Sequence, residues 1–187
     1  MVDVKDIDTV FDNRFTRQFG RPHERAVTKM TDRLPDTHID VIRQSPFLVM
    51  ATSDAAGRCD ASPKGGLPGF VKVLDDSRLL IPDVAGNKLF QSYLNIAENP
   101  HIGLVFFMPG VRGTLRVNGR ATIVSKEELD RLGVRLEVQN PDDNAKLLQG
   151  IMVEVEEAYR HCPRALAFSD LWDEQRIREN RDRTRRA

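Results

Sequence analysis

The sequence predicts a small antiparallel β-barrel with flanking helices. About six short strand-like segments follow one another after residue 46, and one helical segment interrupts them, whereas a parallel α/β sheet alternates strands with helices throughout. The clearest segment, residues 114–123, alternates apolar with polar side chains. A period of two predicts a strand with one face on a core and the other face on something polar.

Length and composition fit one folded domain. The chain has 187 residues, of which 40% are hydrophobic, with 12 glycines and 10 prolines. Such a composition excludes intrinsic disorder, a collagen-like chain and a disulfide-stapled mini-protein. Because 28 basic residues balance 28 acidic ones, the net charge is zero, and nothing indicates a nucleic-acid-binding protein.

Signals for a membrane or for export are missing from the sequence. The longest apolar run, residues 102–108, is far shorter than the roughly 20 residues of a membrane-spanning helix. The chain starts acidic and lacks the apolar region of a signal peptide. Cys59 and Cys162 are too few for a disulfide framework. We therefore expect a cytoplasmic protein with free thiols that binds neither membrane nor nucleic acid.

Composition divides the chain into three segments. Residues 1–45 predict a helical extension that packs on the body, residues 46–173 form the body, and residues 174–187 form an arginine-rich tail that frays. The extension contains three phenylalanines that recur every fourth residue and form an apolar stripe: Phe11, Phe15 and Phe19. Further predicted helices in the extension are residues 22–30 and a segment that Asp36 or Thr37 caps and that stops at Ser45 and Pro46.

Strands of the body follow from alternation and from turn residues. The predicted strands are residues 47–52, 70–74, 78–82, 101–108, 114–123 and 151–155, and residues 58–63 are predicted to be extended. Residues 70–82 form a hairpin with a three-residue loop. In the clearest strand, four residues are expected on the core: Leu115, Val117, Ala121 and Ile123.

Helices of the body are predicted at three places. The first begins at an Asn87 cap, ends at Asn99 and Pro100, and carries an apolar stripe of Leu89, Phe90, Tyr93, Leu94 and Ala97. A capping box at Ser125 and Glu128 opens a second helix that runs to about residue 137. Residues 163–172 predict a third, short helix.

Motifs for nucleophilic or metal chemistry are absent from the sequence. There is no Gly-x-Ser-x-Gly elbow and no Cys-x-x-Cys or His-Glu-x-x-His motif, and the four histidines lack metal-ligand spacing. His161 beside Cys162 could be a catalytic pair, but a buried structural thiol at a strand-to-helix corner explains the pair better. The residues therefore name no catalytic group.

Two glycine-containing segments could approach a ligand. In residues 61–69, three glycines let the backbone come close to another molecule and Lys64 supplies a cation, although these residues alone favour a long irregular hairpin connection. Residues 82–88 run from a strand end into a predicted helix start, where free N–H groups form an anion site. There Gly86 allows close approach, Asn87 can cap or donate, and Lys88 adds charge, but an ordinary capped helix fits as well.

The polar face of residues 114–123 presents a further pair of cations. Arg116 and Arg120 lie on the same side of the strand, because an even separation along a strand preserves the face. Two cations on one strand face are often merely solvated. They could instead line a ligand site or a subunit interface.

An ordered series of short motifs resembles the pyridoxamine 5'-phosphate oxidase-like FMN-binding split-barrel family. The resemblance covers roughly residues 20–173. Within the family, the sequence looks most like a bacterial subgroup of probable FMN-dependent enzymes with unassigned substrates. The motifs are Ser45-Pro-Phe47, Met50-Ala-Thr52, Asp60-Ala-Ser-Pro-Lys-Gly65, Pro68-Gly-Phe-Val71, Ile81-Pro-Asp83, Gly86-Asn87, Asn95-Ile96, Asn99-Pro100, Leu115-Arg-Val-Asn-Gly-Arg120, His161-Cys162 and Leu171-Trp172.

This resemblance implies a split β-barrel of antiparallel, Greek-key-like strands that forms a homodimer with FMN at the subunit interface. It implies that the flavin ring and ribityl chain face Ser62, Pro63, Lys64 and Gly65. It assigns the phosphate to Asn87 and Lys88, and a second approach to the cofactor to Thr114 and Arg116. Trp172 is implied as an interface residue.

The resemblance predicts an FMN-dependent oxidoreductase that acts on an unidentified small molecule. The tail has no histidine after His161, which argues against true pyridoxamine phosphate oxidase activity, and Lys88 is followed by Leu89 instead of a second cation. Two alternatives stay open, because a fold does not fix a function. These are a non-catalytic flavin- or haem-handling module and a deazaflavin-dependent reductase of the same fold.

Overall fold

The computed structural model describes residues 11–84, 86, 88–143 and 145–185. Within these residues, seven strands form one antiparallel sheet in the spatial order β2-β1-β5-β6-β7-β4-β3. The strands are β1 (Phe47–Ser53), β2 (Cys59–Gly65), β3 (Lys72–Val73), β4 (Arg78–Val84), β5 (His101–Phe107), β6 (Thr114–Val124) and β7 (Leu147–His161). The sheet is not closed, because β2 and β3 are its two edges.

Helices flank the sheet. They are α1 (Arg14–Phe19), α2 (Glu24–Val27), α3 (Asp36–Gln44), α4 (Gln91–Glu98), α5 (Lys126–Arg131), α6 (Arg164–Phe168) and α7 (Glu174–Thr184). Helix α3 packs on β3, β6 and β7, and α4 packs on β1, β2 and β6. None of the helices in the described ranges is long and apolar enough to span a bilayer.

The core lies between the inner face of the sheet and helices α3 and α4. Alternation along the strands puts every second side chain on this face, and fully buried examples are Leu48, Met50, Leu104, Phe106, Leu115 and Val117. Burial of each such side chain stabilises the fold by roughly 1.5–3 kcal/mol. Period-2 alternation therefore predicted the core side of most of β6, where Leu115, Val117 and Ala121 are buried.

The opposite side of β1 and β5, here called the outer face, is also apolar. Its residues pair across the two strands as Phe47 with Phe107, Val49 with Val105, and Ala51 with Gly103. The rings of the first pair lie 6.0 Å apart, yet Phe47 remains 39% exposed. Monomers rarely leave a sheet face of this composition to water, so the outer face is a surface that needs a cover.

Several predicted features differ from the structure. Phe15 and Phe19 of α1 are 56% and 76% exposed, so their stripe does not pack on the body. Ile123 is exposed and Val124 is buried, because Val124 packs against Leu129 of α5 beyond the last alternating position. The helix opened by Ser125 ends at Arg131 instead of continuing to residue 137.

The arginine-rich tail was expected to fray, and that expectation is wrong for residues 174–184. The side chain of Asp173 accepts a hydrogen bond from the N–H of Arg176, 2.9 Å away, and so caps the helix. Along the helix, Glu174 pairs with Arg178 four residues later. Local capping and spacing of charges therefore stabilise α7 without any buried residue.

The buried side chain of His38 in α3 is expected to make the free energy of unfolding depend on pH. The side chain is 6% exposed, and its Nδ1 has no hydrogen-bond partner. Burial, and to a lesser degree the positive charge of Arg160, lowers the pKa of His38. The unfolded chain therefore takes up a proton that the folded protein resists, so the free energy of unfolding falls below about pH 6.5, by at most about 1.4 kcal/mol per pH unit.

Denaturant unfolding at a series of pH values measures this contribution. His38→Leu removes the titrating group and should flatten the decline between about pH 6.5 and pH 5. His23→Gln, a change at an exposed histidine, is the control and should keep the wild-type slope. A His38→Leu variant with the same slope as the wild type would show that another group causes the decline.

Candidate cofactor cleft

A cleft of about 270 Å³ opens between the edge strand β2, the end of β4 and the start of α4. Its polar lining includes Ser62, Lys64, Asp83, Lys88, Ser92 and Tyr93. Apolar side chains border it as well, among them Leu89, Phe90 and Leu148. The cleft therefore combines cations, hydrogen-bonding groups and an apolar rim.

Strand β2 aims two of the predicted site residues into this cleft. In the register with β1, Ser62 lies opposite Met50 and Lys64 lies opposite Leu48. Because Met50 and Leu48 are fully buried, Ser62 and Lys64 share the inner side of the sheet with the core. Pro63 also borders the cleft, and it is tolerated there because β2 is an edge strand.

Each carboxylate beside the cleft has a partner. The Nζ atom of Lys64 donates a hydrogen bond to Oδ1 of Asp83 over 2.6 Å, and both side chains are largely buried. The hydroxyl of Ser92 donates to Oδ2 of Asp60 over 2.7 Å. Within the described part of the cleft lining, Lys88 is thus the cation that lies most openly toward solvent.

The predicted helix start at Asn87 is wrong. Helix α4 begins at Gln91, and its N-cap residue Phe90 has a left-handed backbone with φ 52°. Lys88 is left-handed as well, with φ 61°, so the chain turns twice before the helix begins. Asn87 itself lies outside the described residues. The anion site inferred from a helix beginning at Asn87 therefore belongs three to four residues later.

The corrected helix start still borders the cleft. The N–H groups in the first turn of a helix have no intrahelical partners, and here that turn includes Gln91 and Ser92, which line the cleft. An α4 of eight residues supplies the positive end of a helix dipole at the same place. A Cβ atom on Gly86 would come no closer than 3.9 Å to Val84, so the backbone there lies open to a ligand.

The apolar stripe predicted for this helix is only partly correct. Tyr93 is buried, but Leu89 and Leu94 are 61% and 63% exposed. The two left-handed residues before the helix explain the position of Leu89 and Phe90, because they take both side chains out of the helical pattern and onto the rim. Exposed apolar side chains at the rim are suited to contact a flat, apolar ligand or another chain.

Tyr93 contributes a hydroxyl group near Asp83. The hydroxyl oxygen is buried close to Asp83 and Gln149 but makes a well-formed hydrogen bond to neither. Burial, together with the negative charge of Asp83, raises the pKa of Tyr93 well above its usual range. The group stays protonated, and it is a buried donor with unused hydrogen-bonding capacity.

Four predicted site residues lie outside the lining of the cleft in a single chain. Gly65 ends β2, where a Cβ atom would lie 3.4 Å from the carbonyl oxygen of Pro46. On the side of β6 away from the core are Thr114 and Arg116, and the guanidinium of Arg116 donates to the hydroxyl of Tyr159 over 2.8 Å. The indole N–H of Trp172 donates to the carbonyl of Val111.

The remaining sequence candidates show no catalytic arrangement. Cys162 is exposed, so its interpretation as a buried structural thiol is wrong. The Arg120 guanidinium lies 3.4 Å from Nε2 of His101 on the exposed side of the sheet. Among the described residues, no group of three or more His, Cys, Asp or Glu side chains is placed to hold a metal ion.

Among the residues that line the cleft, Ser62, Lys64 and Lys88 were predicted from the sequence. Asp83 and Tyr93 were not. Asp83 was visible as the acid of the Ile-Pro-Asp motif, and its position at the end of a strand beside a glycine-containing loop was the signal that could have identified it. Tyr93 was assigned to an apolar stripe. The role of its hydroxyl follows only from its position near Asp83, which lies ten residues earlier in the chain.

Comparison with known proteins identifies the family. The family model for pyridoxamine 5'-phosphate oxidase matches residues 34–162, well over half of the sequence. The chain therefore belongs to the pyridoxamine 5'-phosphate oxidase family. A comparison with curated protein sequences found no match.

The likeness to the solved structure of HupZ supports the fold. HupZ from Group A Streptococcus is 20% identical, with a TM-score of 0.51 over 68% of this chain and 93% of that protein. A candidate pyridoxamine 5'-phosphate oxidase from Lactobacillus delbrueckii is 21% identical, with a TM-score of 0.49 over 69% and 95% of the two chains. An FMN-binding relative from Nostoc punctiforme is 12% identical, with a TM-score of 0.45 over 67% and 81%. The predicted split-barrel class, mainly β with flanking helices, is confirmed.

Proposed function

We propose that the protein is an FMN-dependent oxidoreductase that acts on a small molecule, and that the cleft beside β2 holds the cofactor. The observation that carries the proposal is the composition of this cleft. It joins a cation and helix N–H groups, which suit a phosphate, to an apolar rim, which suits a flat ring. Membership of the pyridoxamine 5'-phosphate oxidase family supports the same ligand.

The residues present fit FMN. Lys88 and the first turn of α4 would hold the phosphate, and Ser62, Pro63 and Lys64 would face the ring and its chain. Asp83 does not oppose an anion strongly, because its charge is paired with Lys64, whereas Asp60 keeps its negative charge and accepts a hydrogen bond from Ser92. The unused hydroxyl of Tyr93 leaves a donor at the inner end of the lining.

FMN would supply the electron transfer, and the protein would supply orientation, polarity and exclusion of water. Leu89, Phe90 and Leu148 would keep water from one side of the ring. Lys64 would present an ammonium group whose position is fixed by Asp83. Transfer of electrons by a flavin requires no protein nucleophile, which agrees with the absence of a catalytic motif in the sequence.

We further propose that two copies of the chain share the site as a homodimer. The cleft of one chain, about 270 Å³, lies at or below the range of roughly 300–1,000 Å³ typical of small-molecule sites. The apolar outer face is a self-complementary surface of the kind that closes a two-fold dimer. In this arrangement Thr114, Arg116 and Trp172 would approach the cofactor of the other copy. The two exposed free thiols fit a reducing, cytoplasmic compartment.

Titration of the apoprotein with FMN, FAD, riboflavin and haem tests the proposal, with flavin fluorescence and haem absorbance as readouts. We expect FMN to bind most tightly. Turnover of reduced nicotinamide by the holoprotein then distinguishes an oxidoreductase from a non-catalytic carrier, and mass spectrometry of the extracted cofactor identifies a deazaflavin. A protein that binds haem or FAD but not FMN would contradict the proposal.

Lys88→Ala should weaken FMN binding about tenfold to a hundredfold, because a charge-assisted hydrogen bond contributes roughly 1.5–3 kcal/mol. The exposed side chain makes no core contact, so the fold should be unaffected. Riboflavin lacks the phosphate, and its weaker binding should hardly change. Fluorescence titration at low salt measures both ligands, with Lys126→Ala on α5 as the matched control. Equal weakening of FMN and riboflavin would show that Lys88 does not contact the phosphate.

A further inference from the structure

An ion pair is built into the inner wall of the cleft. Nζ of Lys64 lies 2.6 Å from Oδ1 of Asp83, and the two side chains are only 18% and 14% exposed. Water screens charges poorly at such burial, so each charge depends on the other for stabilisation. Lys64 therefore reaches the cleft with its positive charge balanced.

Two separate elements hold the pair in place. Lys64 extends from β2 at the position opposite buried Leu48, and Asp83 lies on β4 opposite Gln149 of β7. In the sheet, β2 is one edge strand and β4 lies next to the other edge strand, so the ion pair joins β2 to β4 across the cleft. Tyr93 of α4 lies close to the same carboxylate. The position of the Lys64 ammonium group is thus determined by Asp83 as well as by its own strand.

We propose that Asp83 is a positioning residue that fixes Lys64 and neutralises its charge, so that a bound FMN meets a neutral pair instead of a free cation. The inference rests on the proposed function. Uptake of two electrons and one proton adds one negative charge to a flavin, and a free cation nearby favours that reduced form. Asp83 therefore lowers the reduction potential of bound FMN relative to what Lys64 alone would produce.

The test is the two-electron reduction potential of bound FMN, measured against a reference dye in the wild type and three variants. Asp83→Asn leaves a free cation and should raise the potential. Lys64→Met leaves a free anion and should lower it. The double variant restores a neutral pair and should return close to the wild type. A tenfold change in the preference for the reduced over the oxidised flavin corresponds to about 30 mV.

Asp83→Glu keeps the charge and is the matched control, with an unchanged potential expected. A general disturbance of the cleft would shift the reduction potential in Asp83→Glu as well as in Asp83→Asn. Should Asp83→Asn not fold, Lys64→Met must still lower the potential and the double variant must still restore it.

The outcomes separate the two proposals. If the wild type does not bind FMN, the proposed function fails and this inference fails with it. If the wild type binds FMN but Asp83→Asn leaves the potential unchanged or lowers it, the inference alone fails. If Asp83→Asn and Lys64→Met shift the reduction potential in the same direction, the inference also fails. Removing opposite charges should shift the potential in opposite directions, whereas a purely structural role of the pair would not.

Discussion

Val105→Glu is expected to separate the proposed homodimer into monomers and to abolish tight FMN binding. Val105 lies near the middle of the outer face, paired with Val49 on the neighbouring strand. An unpaired charge buried at the proposed interface costs roughly 3–5 kcal/mol, which weakens association by about 150-fold to several thousandfold. Sedimentation at micromolar concentration and FMN titration of the same sample measure the two effects together.

The matched control for this change is Leu74→Glu. Leu74 is apolar and 38% exposed, and it lies in the hairpin between β3 and β4, away from the outer face. It should leave both the oligomeric state and FMN binding as in the wild type. If Val105→Glu remains a dimer that binds FMN, the outer face is not the interface, and the shared cleft has to be abandoned.

Gly119→Ala is expected to destabilise the protein by about 3 kcal/mol or more, a large fraction of the roughly 5–15 kcal/mol that stabilises a typical domain. Gly119 is buried in β6 at the register shift against β7, where Asn118 pairs with Glu157 and Gly119 pairs with Val155. The extra residue of this bulge brings the carbonyl oxygen of Glu154 into the space that a Cβ atom on Gly119 would occupy.

Thermal and denaturant unfolding measure the effect, and Gly113→Ala is the control. A Cβ atom on Gly113 would have no heavy atom within 4 Å, so the same substitution should change the free energy of unfolding only slightly. A Gly119→Ala variant as stable as Gly113→Ala would mean that β7 can shift away from β6 at little cost. The bulge would then not be a fixed part of the fold.

The strands could be predicted because their signal is local. The continuous apolar run that begins at Phe47 predicted a buried strand, and the alternation of Leu115 and Val117 with polar residues predicted which side of β6 faces the core. The hairpin between β3 and β4 follows from its turn residues. Alternation fails at Ile123, where α5 covers the strand end and buries Val124 instead.

The start of α4 could not be predicted from local signals. Leu89 and Phe90 continue an apolar helical stripe in the sequence, but Lys88 and Phe90 adopt left-handed conformations that their residue types disfavour. The ring of Phe90 lies 6.1 Å from the ring of Tyr93, and residue propensities contain no information about such a contact. The N–H groups proposed to bind an anion were therefore misplaced by about one turn of helix.

The site could be predicted only where its residues lie in local sequence patterns. Ser62, Lys64 and Lys88 carry recognisable residue types in glycine-containing segments, and the structure brings them into one cleft. The partner of Lys64 is Asp83, which lies 19 residues away on another strand, so their contact exists only in the folded sheet. Long-range ion pairs of this kind leave no periodic pattern in a sequence.

Native mass spectrometry of the protein reconstituted with FMN tests the central claim most directly, because it counts chains and cofactors in one species. A shared cofactor site predicts a complex of two 21.2 kDa chains with two FMN molecules, and release of both cofactors when Val105→Glu separates the chains. A single chain that holds FMN, or a dimer that retains haem or a deazaflavin and rejects FMN, would contradict it.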